Sequence, residues 1–155
     1  MSTYRIEKSR CPISVRTRSG ETLNGHVFLQ LYARYGGAER PIDILNSGEA
    51  FFPIADDAGD TLIVSKESVL FATCAMAPEA DEERKGLSRP VAVRILLRNG
   101  EVVTAVARLE VPEDHPRLLD FFNLSRGPFI PLETAQGQII VNKAMIEHAR
   151  AVERA

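Results

Sequence analysis

Arg40-Pro41-Ile42-Asp43-Ile44-Leu45-Asn46, then Phe51-Phe52-Pro53-Ile54, then Ile63-Val64-Ser65-Lys66, is the stretch on which the reading of this chain turns. It returns in the same order as Arg117-Leu118-Leu119-Asp120-Phe121-Phe122-Asn123, Phe129-Ile130-Pro131-Leu132 and Ile140-Val141-Asn142-Lys143. Gly59 answers to Gly137, and Val69 to Ile146. Upstream, Ser9-Arg10-Cys11-Pro12-Ile13-Ser14-Val15-Arg16 matches Ser88-Arg89-Pro90-Val91-Ala92-Val93-Arg94, and Arg18-Ser19-Gly20-Glu21 matches Arg98-Asn99-Gly100-Glu101. Self-similarity with order and spacing kept is the mark of repeated structural units.

Between the two copies lies APEADEERKGLSR, residues 77–89, polar, charged and bounded by Pro78 and Pro90. Such composition predicts an exposed linker. The expected organisation is a first β repeat at 1–76, a linker at 77–89, and a second β repeat with a C-terminal helix at 90–155. A unit of about 70 residues is near the lower limit for independent folding, so the two are expected to pack on each other and bury an apolar face jointly.

Within each copy the apolar period is mostly two. Ile13, Val15 and Thr17 alternate with Ser14, Arg16 and Arg18 before a Ser19-Gly20 hairpin turn. Leu23, Gly25, Val27, Leu29 and Leu31 continue on a second strand, where Gly25 permits a sharp bend. Residues 91–97 and 102–111 repeat the hairpin around Asn99-Gly100, with Ala105 in place of Gly25 and a gentler bend expected. The DILN and DFFN segments read as short helical turns. Residues 51–55 and 61–64 form a hairpin around the acidic tip at 56–60, and residues 69–73 a closing strand. At the end, Asn142 is a helix cap candidate, and Met145, Ala149 and Val152 recur at helical spacing, which predicts a helix over 143–153. The fold class expected is mainly β: two tandem pseudo-symmetric small β-barrel-like units, short helical turns and a C-terminal helix.

Composition narrows the function. Hydrophobic residues are 45% and charged residues 26% of 155, with a net charge of −2, the profile of a soluble globule rather than of a disordered or broadly basic chain. Residues 1–75 carry 8 basic and 9 acidic groups and residues 76–155 carry 11 and 12, so neither half offers the concentrated positive charge that drives phosphate binding. No apolar run approaches the roughly 20 residues of a membrane span, and MSTYRIEKSR lacks the apolar segment of a secretion signal. Cytoplasm is the compartment expected, with no membrane association. Cys11 and Cys74 are too few for a disulfide framework and read as buried thiols, neighbours if the first half closes on itself. His26, His115 and His148 stand apart, with no metal-ligand spacing around them. No nucleophile–base pair, carboxylate pair or phosphate loop is present, so neither an enzyme nor a cofactor is expected.

The order strand, glycine turn, bent strand, polar Asp…Asn turn, hairpin, closing strand resembles the Sm-like barrel. Val15, Gly20, Gly25, Asp43, Asn46, Gly59, Ile63, Val64 and Val69 carry the resemblance. The Asp-x-x-Asn and Phe-x-Pro elements also resemble an uncharacterised bacterial domain family with no assigned activity. The Sm-like resemblance implies a nucleotide pocket at a ring interface. Asp43 and Asn46, with Asp120 and Asn123 in the second copy, occupy its first positions, and Lys66 and Lys143 stand where that family has an arginine. Arg16 and Arg18, in the basic N-terminal stretch, would then touch RNA, with Tyr32 and Tyr35 around Arg34 stacking on bases.

A further alternative is a cyclic dinucleotide site, since Arg94-Ile95-Leu96-Leu97-Arg98 and Asn123-Leu124-Ser125-Arg126-Gly127 resemble the PilZ-type motif. The residues alone suggest something plainer. Asp and Asn cap turns, Asn46 and Asn123 each satisfying its own turn, and Phe51 and Phe129 belong to the core. The function expected is a non-catalytic protein-interaction or assembly module, whose partner is another protein or the chain itself.

Overall fold

The computed structural model describes residues 8–30, 37–75, 88–110 and 118–152. It is mainly β. Strand β1 (Lys8–Thr17) turns back into β2 (Thr22–Gln30) through Gly20, whose φ of 92° suits a residue without a side chain. A short helix α1 (Pro41–Leu45) leads to the hairpin β3 (Phe51–Ala55) and β4 (Thr61–Ser65). A single 3-10 turn (Lys66–Ser68) then delivers β5 (Val69–Cys74). The order recurs as β6 (Ser88–Leu97), β7 (Val102–Glu110), α2 (Leu118–Leu124), β8 (Phe129–Thr134), β9 (Gly137–Asn142), a 3-10 turn (Lys143–Met145) and β10 (Ile146–Ala151). No helix among the described residues is long and apolar enough to cross a membrane.

All ten strands belong to one antiparallel sheet in the order β10-β6-β7-β8-β9-β5-β1-β2-β3-β4. Alternation fixes its inner face: Ile13 and Val15 of β1 are buried with Val27 and Leu29 of β2, while Ser14 and Arg16 stay partly exposed. β2 and β3 share one paired position, His26 opposite Ala55. A Cβ on Gly25 would stand 2.4 Å from the Ala55 carbonyl oxygen, so a glycine is required for the two backbones to approach. The corresponding β7–β8 contact is also one pair, Val106 opposite Glu133, and there Ala105 fits without strain.

Three expectations are corrected. No closed barrel forms, because β5 takes β9 as its second neighbour instead of returning to β4. The expected C-terminal helix is a 3-10 turn followed by β10, which pairs with β6. Asn142 does cap, accepting a hydrogen bond from the Ala144 N–H at 3.1 Å, but it caps a single turn. A register shift between Ile146 and His148 then puts Ile146 and Ala149 together against the core, so a bulged strand presents a helix-like spacing of apolar residues. Third, Ser88 and Arg89 belong to β6 and not to a linker; residues 77–87, like Tyr32, Arg34 and Tyr35, lie outside the described residues. The β1–β6 match also slips: counted back from Gly20 and Gly100, Val15 answers to Ile95 and Arg16 to Leu96, rather than to Val93 and Arg94.

Replacing Gly25 by alanine drives a methyl group into the Ala55 carbonyl, and overpacking of this kind costs about 1–3 kcal/mol. Gly48→Ala, which meets open space, is expected to change stability by less than about 0.5 kcal/mol. Urea unfolding of the two variants beside the parent chain checks both values.

Candidate functional site

Two of the polar residues singled out in the sequence, Asn46 and Arg16, reach across to the other half of the chain at the β5–β9 seam. Val69, Leu70 and Ala72 are all buried, so β5 is covered on both faces, as an unbroken apolar run should be. Its register with β9 sets Phe71 opposite Val141, Ala72 opposite Ile140, Thr73 opposite Ile139 and Cys74 opposite Gln138. Side chains cross the seam in both directions. Phe129 and Ile140 complete the hydrophobic cluster of the first half, and Leu70 enters that of the second.

Two asparagines close the seam. Asn46, at the C-terminal end of α1, accepts a hydrogen bond from the Phe129 N–H at 2.8 Å. Its amide donates to the carbonyls of Phe129 and Arg126 at 3.1 and 3.2 Å. A Cβ on Gly127 would lie 2.4 Å from Asn46 Cγ, so glycine makes room for this contact. Asn142 donates across the seam to the Val69 carbonyl at 2.9 Å. Asn46 therefore satisfies the opposite half of the chain and not its own turn, a correction to the expectation above. Asn123 is exposed at the end of α2.

The remaining sequence candidates divide between structural roles and open surface. Asp43 folds back on the start of α1, accepting from the Arg40 N–H at 2.9 Å and pairing with its guanidinium at 3.1 Å. Lys66 is buried and donates to the Ser47 carbonyl at 3.2 Å and hydroxyl at 2.8 Å. Its burial lowers the pKa of the amine, and Glu49 partly offsets that. Lys143 donates in the same way to the Ser125 carbonyl. Arg16 bridges the halves through Glu101 at 2.8 Å and also holds Thr22. Asp120 is exposed on the first turn of α2. Arg18 is exposed beside an open depression of about 730 Å³ that Leu70, Arg98 and Met145 also line. Arg98 is engaged with the Ala144 carbonyl at 2.6 Å. Asp43, Asn46 and Lys66 thus gather around α1, and each spends its polar groups on the protein's own backbone or a neighbouring side chain.

Part of the open apolar surface lies at the β4 end of the sheet. Among the described strands, β4 and β10 each have a neighbour on one side only. Phe51 is 57% exposed, whereas Phe129 at the same place in its Phe-x-Pro segment is 1% exposed. The expectation of a buried Phe51 fails because β9 has β5 beside it, whereas β4 has no second strand beside it among the described residues. Ile63 on β4 is 63% exposed against 0% for Ile140 on β9. Leu119 of α2 is 62% exposed, while Ile42 at the same place in α1 is 7% exposed. Sequence reasoning missed Leu70, Gly127 and the cross-seam role of Asn142. The readable signal was Val69-Leu70-Phe71-Ala72, a run without alternation, which marks a strand buried on both faces.

Both cysteines are free thiols, Cys74 buried and Cys11 partly so. Burial pushes the Cys74 thiol up to about 12, and the nearby Cys11 adds to the rise; burial alone raises Cys11. Cys74 points its sulfur at Gln138 Oε1 across the seam, 3.8 Å away. No family model, curated protein or solved structure matches the chain.

Two predictions follow from this geometry. Asn46→Ala leaves the Phe129 N–H without its acceptor, at an expected cost of about 1–3 kcal/mol, whereas Asn123→Ala in dilute solution costs under about 0.5 kcal/mol. Denaturant titration separates them, with Phe129→Ala expected to lose about 3–5 kcal/mol as the reference for a filled core position. The second concerns pH. In the unfolded chain Cys74 ionises near its ordinary value of 9.0, but in the folded chain only near 12. Above pH 9 the unfolded state therefore binds fewer protons, and the stabilisation present below pH 9 fades as pH rises toward 12. The stability gap between the parent chain and Cys74→Ala is expected to narrow between pH 8 and pH 10.5, read from paired unfolding curves.

Proposed function

We propose that this chain is a non-catalytic assembly module made of two equivalent repeats of Sm-like character, 1–76 and 90–155, that acts by pairing its free strand edges with protein. Several observations support the equivalence. The strand order β5-β1-β2-β3-β4 is matched by β10-β6-β7-β8-β9. Lys66 with Ser47 is matched by Lys143 with Ser125, and the Lys66 N–H to Ala50 carbonyl bond by Lys143 to Pro128. Gly20 and Gly100 turn their hairpins at φ 92° and 91°.

The single observation that carries the proposal is the β4 end of the sheet. An unpaired strand edge there coincides with exposed Phe51, Leu62 and Ile63. Natural sheets blunt free edges with charge, proline or a cover, and an apolar open edge is a template for another strand. Nucleotide recognition at Asp43, Asn46 and Lys66 is disfavoured because those groups already have partners within the fold. The near balance of charge in each half leaves little counterion release to drive RNA binding.

Affinity capture from the source cell, with nuclease, tests the reading. Protein association, with other copies or with another chain, should survive nuclease and be lost in Ile63→Lys, which alters an exposed side chain and leaves the core intact. Micromolar binding of single-stranded RNA or of a cyclic dinucleotide at physiological salt, seen by fluorescence anisotropy, would overturn it.

A further inference from the structure

We infer that the β4 edge of one copy takes the β10 edge of a second copy of this chain, head to tail, in the register of the internal seam. The inference rests on the assembly reading and names its partner. The β5–β9 ladder is the template: β10 is the last strand of the second half as β5 is of the first, and β4 precedes a 3-10 turn as β9 does. Carrying the seam's pairs over sets His148 opposite Val64 of the next copy, Ala149 opposite Ile63, Arg150 opposite Leu62 and Ala151 opposite Thr61.

What is exposed at the two ends is what the seam covers. Phe51, Leu62 and Ile63 are open at one end, and their counterparts Phe129, Ile139 and Ile140 are buried. In the second half Leu119 and Leu124 of α2 are open, while α1 of the first half lies against β8 across the seam with Ile42 and Leu45 buried. Of the large exposed hydrophobic side chains among the described residues, Leu62 and Ile63 lie on the edge strand β4, Phe51 on its neighbour β3 and Val152 just after the edge strand β10, while Leu119 and Leu124 lie on α2.

The polar groups change in step. Leu70, which crosses the seam, shares its cluster with Leu97 and Met145. Its counterpart on β10 is Glu147, an exposed carboxylate. The receiving positions change with it, since Thr17 answers to Leu97 and Ser68 to Met145. The first pair is fixed by the Gly20 and Gly100 turn bonds, the second by the bonds from the Arg18 and Arg98 N–H groups. A leucine entering an apolar site thus becomes a glutamate entering one with two hydroxyls, and Arg18 stands beside it as Arg98 stands beside Leu70. Asn123 takes the place of Asn46, facing Phe51 of the next copy. The seams are not identical, because Glu49 replaces Gly127 and lacks its left-handed backbone. Each copy keeps one end of each kind, so the contact is heterologous and builds a ring or a filament instead of a closed two-fold pair.

Sedimentation velocity on the purified full chain, with two end-blocked variants, tests this. Wild type is expected to sediment as multiples of 17.1 kDa at micromolar concentration. Ile63→Lys blocks the β4 end and Leu119→Lys/Asn123→Ala the other. Each alone should be monomeric with an unchanged melting temperature, and an equimolar mixture should give a one-to-one dimer through the remaining intact pair of ends. Phe51→Lys stands in for Ile63→Lys if that chain melts early. A monomeric wild type at about 100 µM would overturn the inference, as would self-association of Leu119→Lys/Asn123→Ala alone, which would mean β4 pairing with β4. If the purified chain is monomeric while edge-dependent capture from cells persists, the assembly reading stands and only the identity of the partner falls. Loss of both rejects both.

Discussion

The β5–β9 ladder is the interaction on which the rest of the molecule depends. β5 is apolar on both faces and carries backbone donors and acceptors on both edges, so it needs a strand on each side and a core above and below. β1 supplies one neighbour. The second comes from the other half of the chain, and with it come Phe129 and Ile140 for the first core and the site that Leu70 fills in the second. A half of about 70 residues is short of apolar area, and the exchange of side chains across the ladder gives each half a core it could not complete alone.

That arrangement also decides what the polar residues do. Asn46 and Asn142 terminate the ladder, Arg16 and Glu101 bridge it, and Lys66 and Lys143 hold the loops that lead into β3 and β8. Buried polar groups must be satisfied, and among the described residues no buried side-chain nitrogen or oxygen lacks a partner. A residue whose hydrogen bonds are spent on the backbone has little left for a ligand.

An open ten-stranded sheet with apolar residues at its ends is a costly form for an isolated chain, because free edges invite unwanted pairing. β10 carries the charged side chains Glu147 and Arg150, whereas Thr61–Ser65 of β4 carries none.

The local order of most strands, the glycine turns at Gly20 and Gly100 and the capping by Asp43 were legible in the residues, because turns and two-residue alternation are local properties. The partner of each edge was not. Phe51 and Phe129 occupy matching sequence contexts and end at 57% and 1% exposure, since only the second lies beside a neighbouring half. Asn46 and Asn123 divide in the same way. The last strand was hidden for a related reason: a bulge at Ile146 brought apolar residues into helical spacing, and only pairing with β6 reveals the strand. Sequence determined what each segment can be; the tertiary structure decided which edges are filled, because a strand's hydrogen bonds and burial depend on what lies beside it.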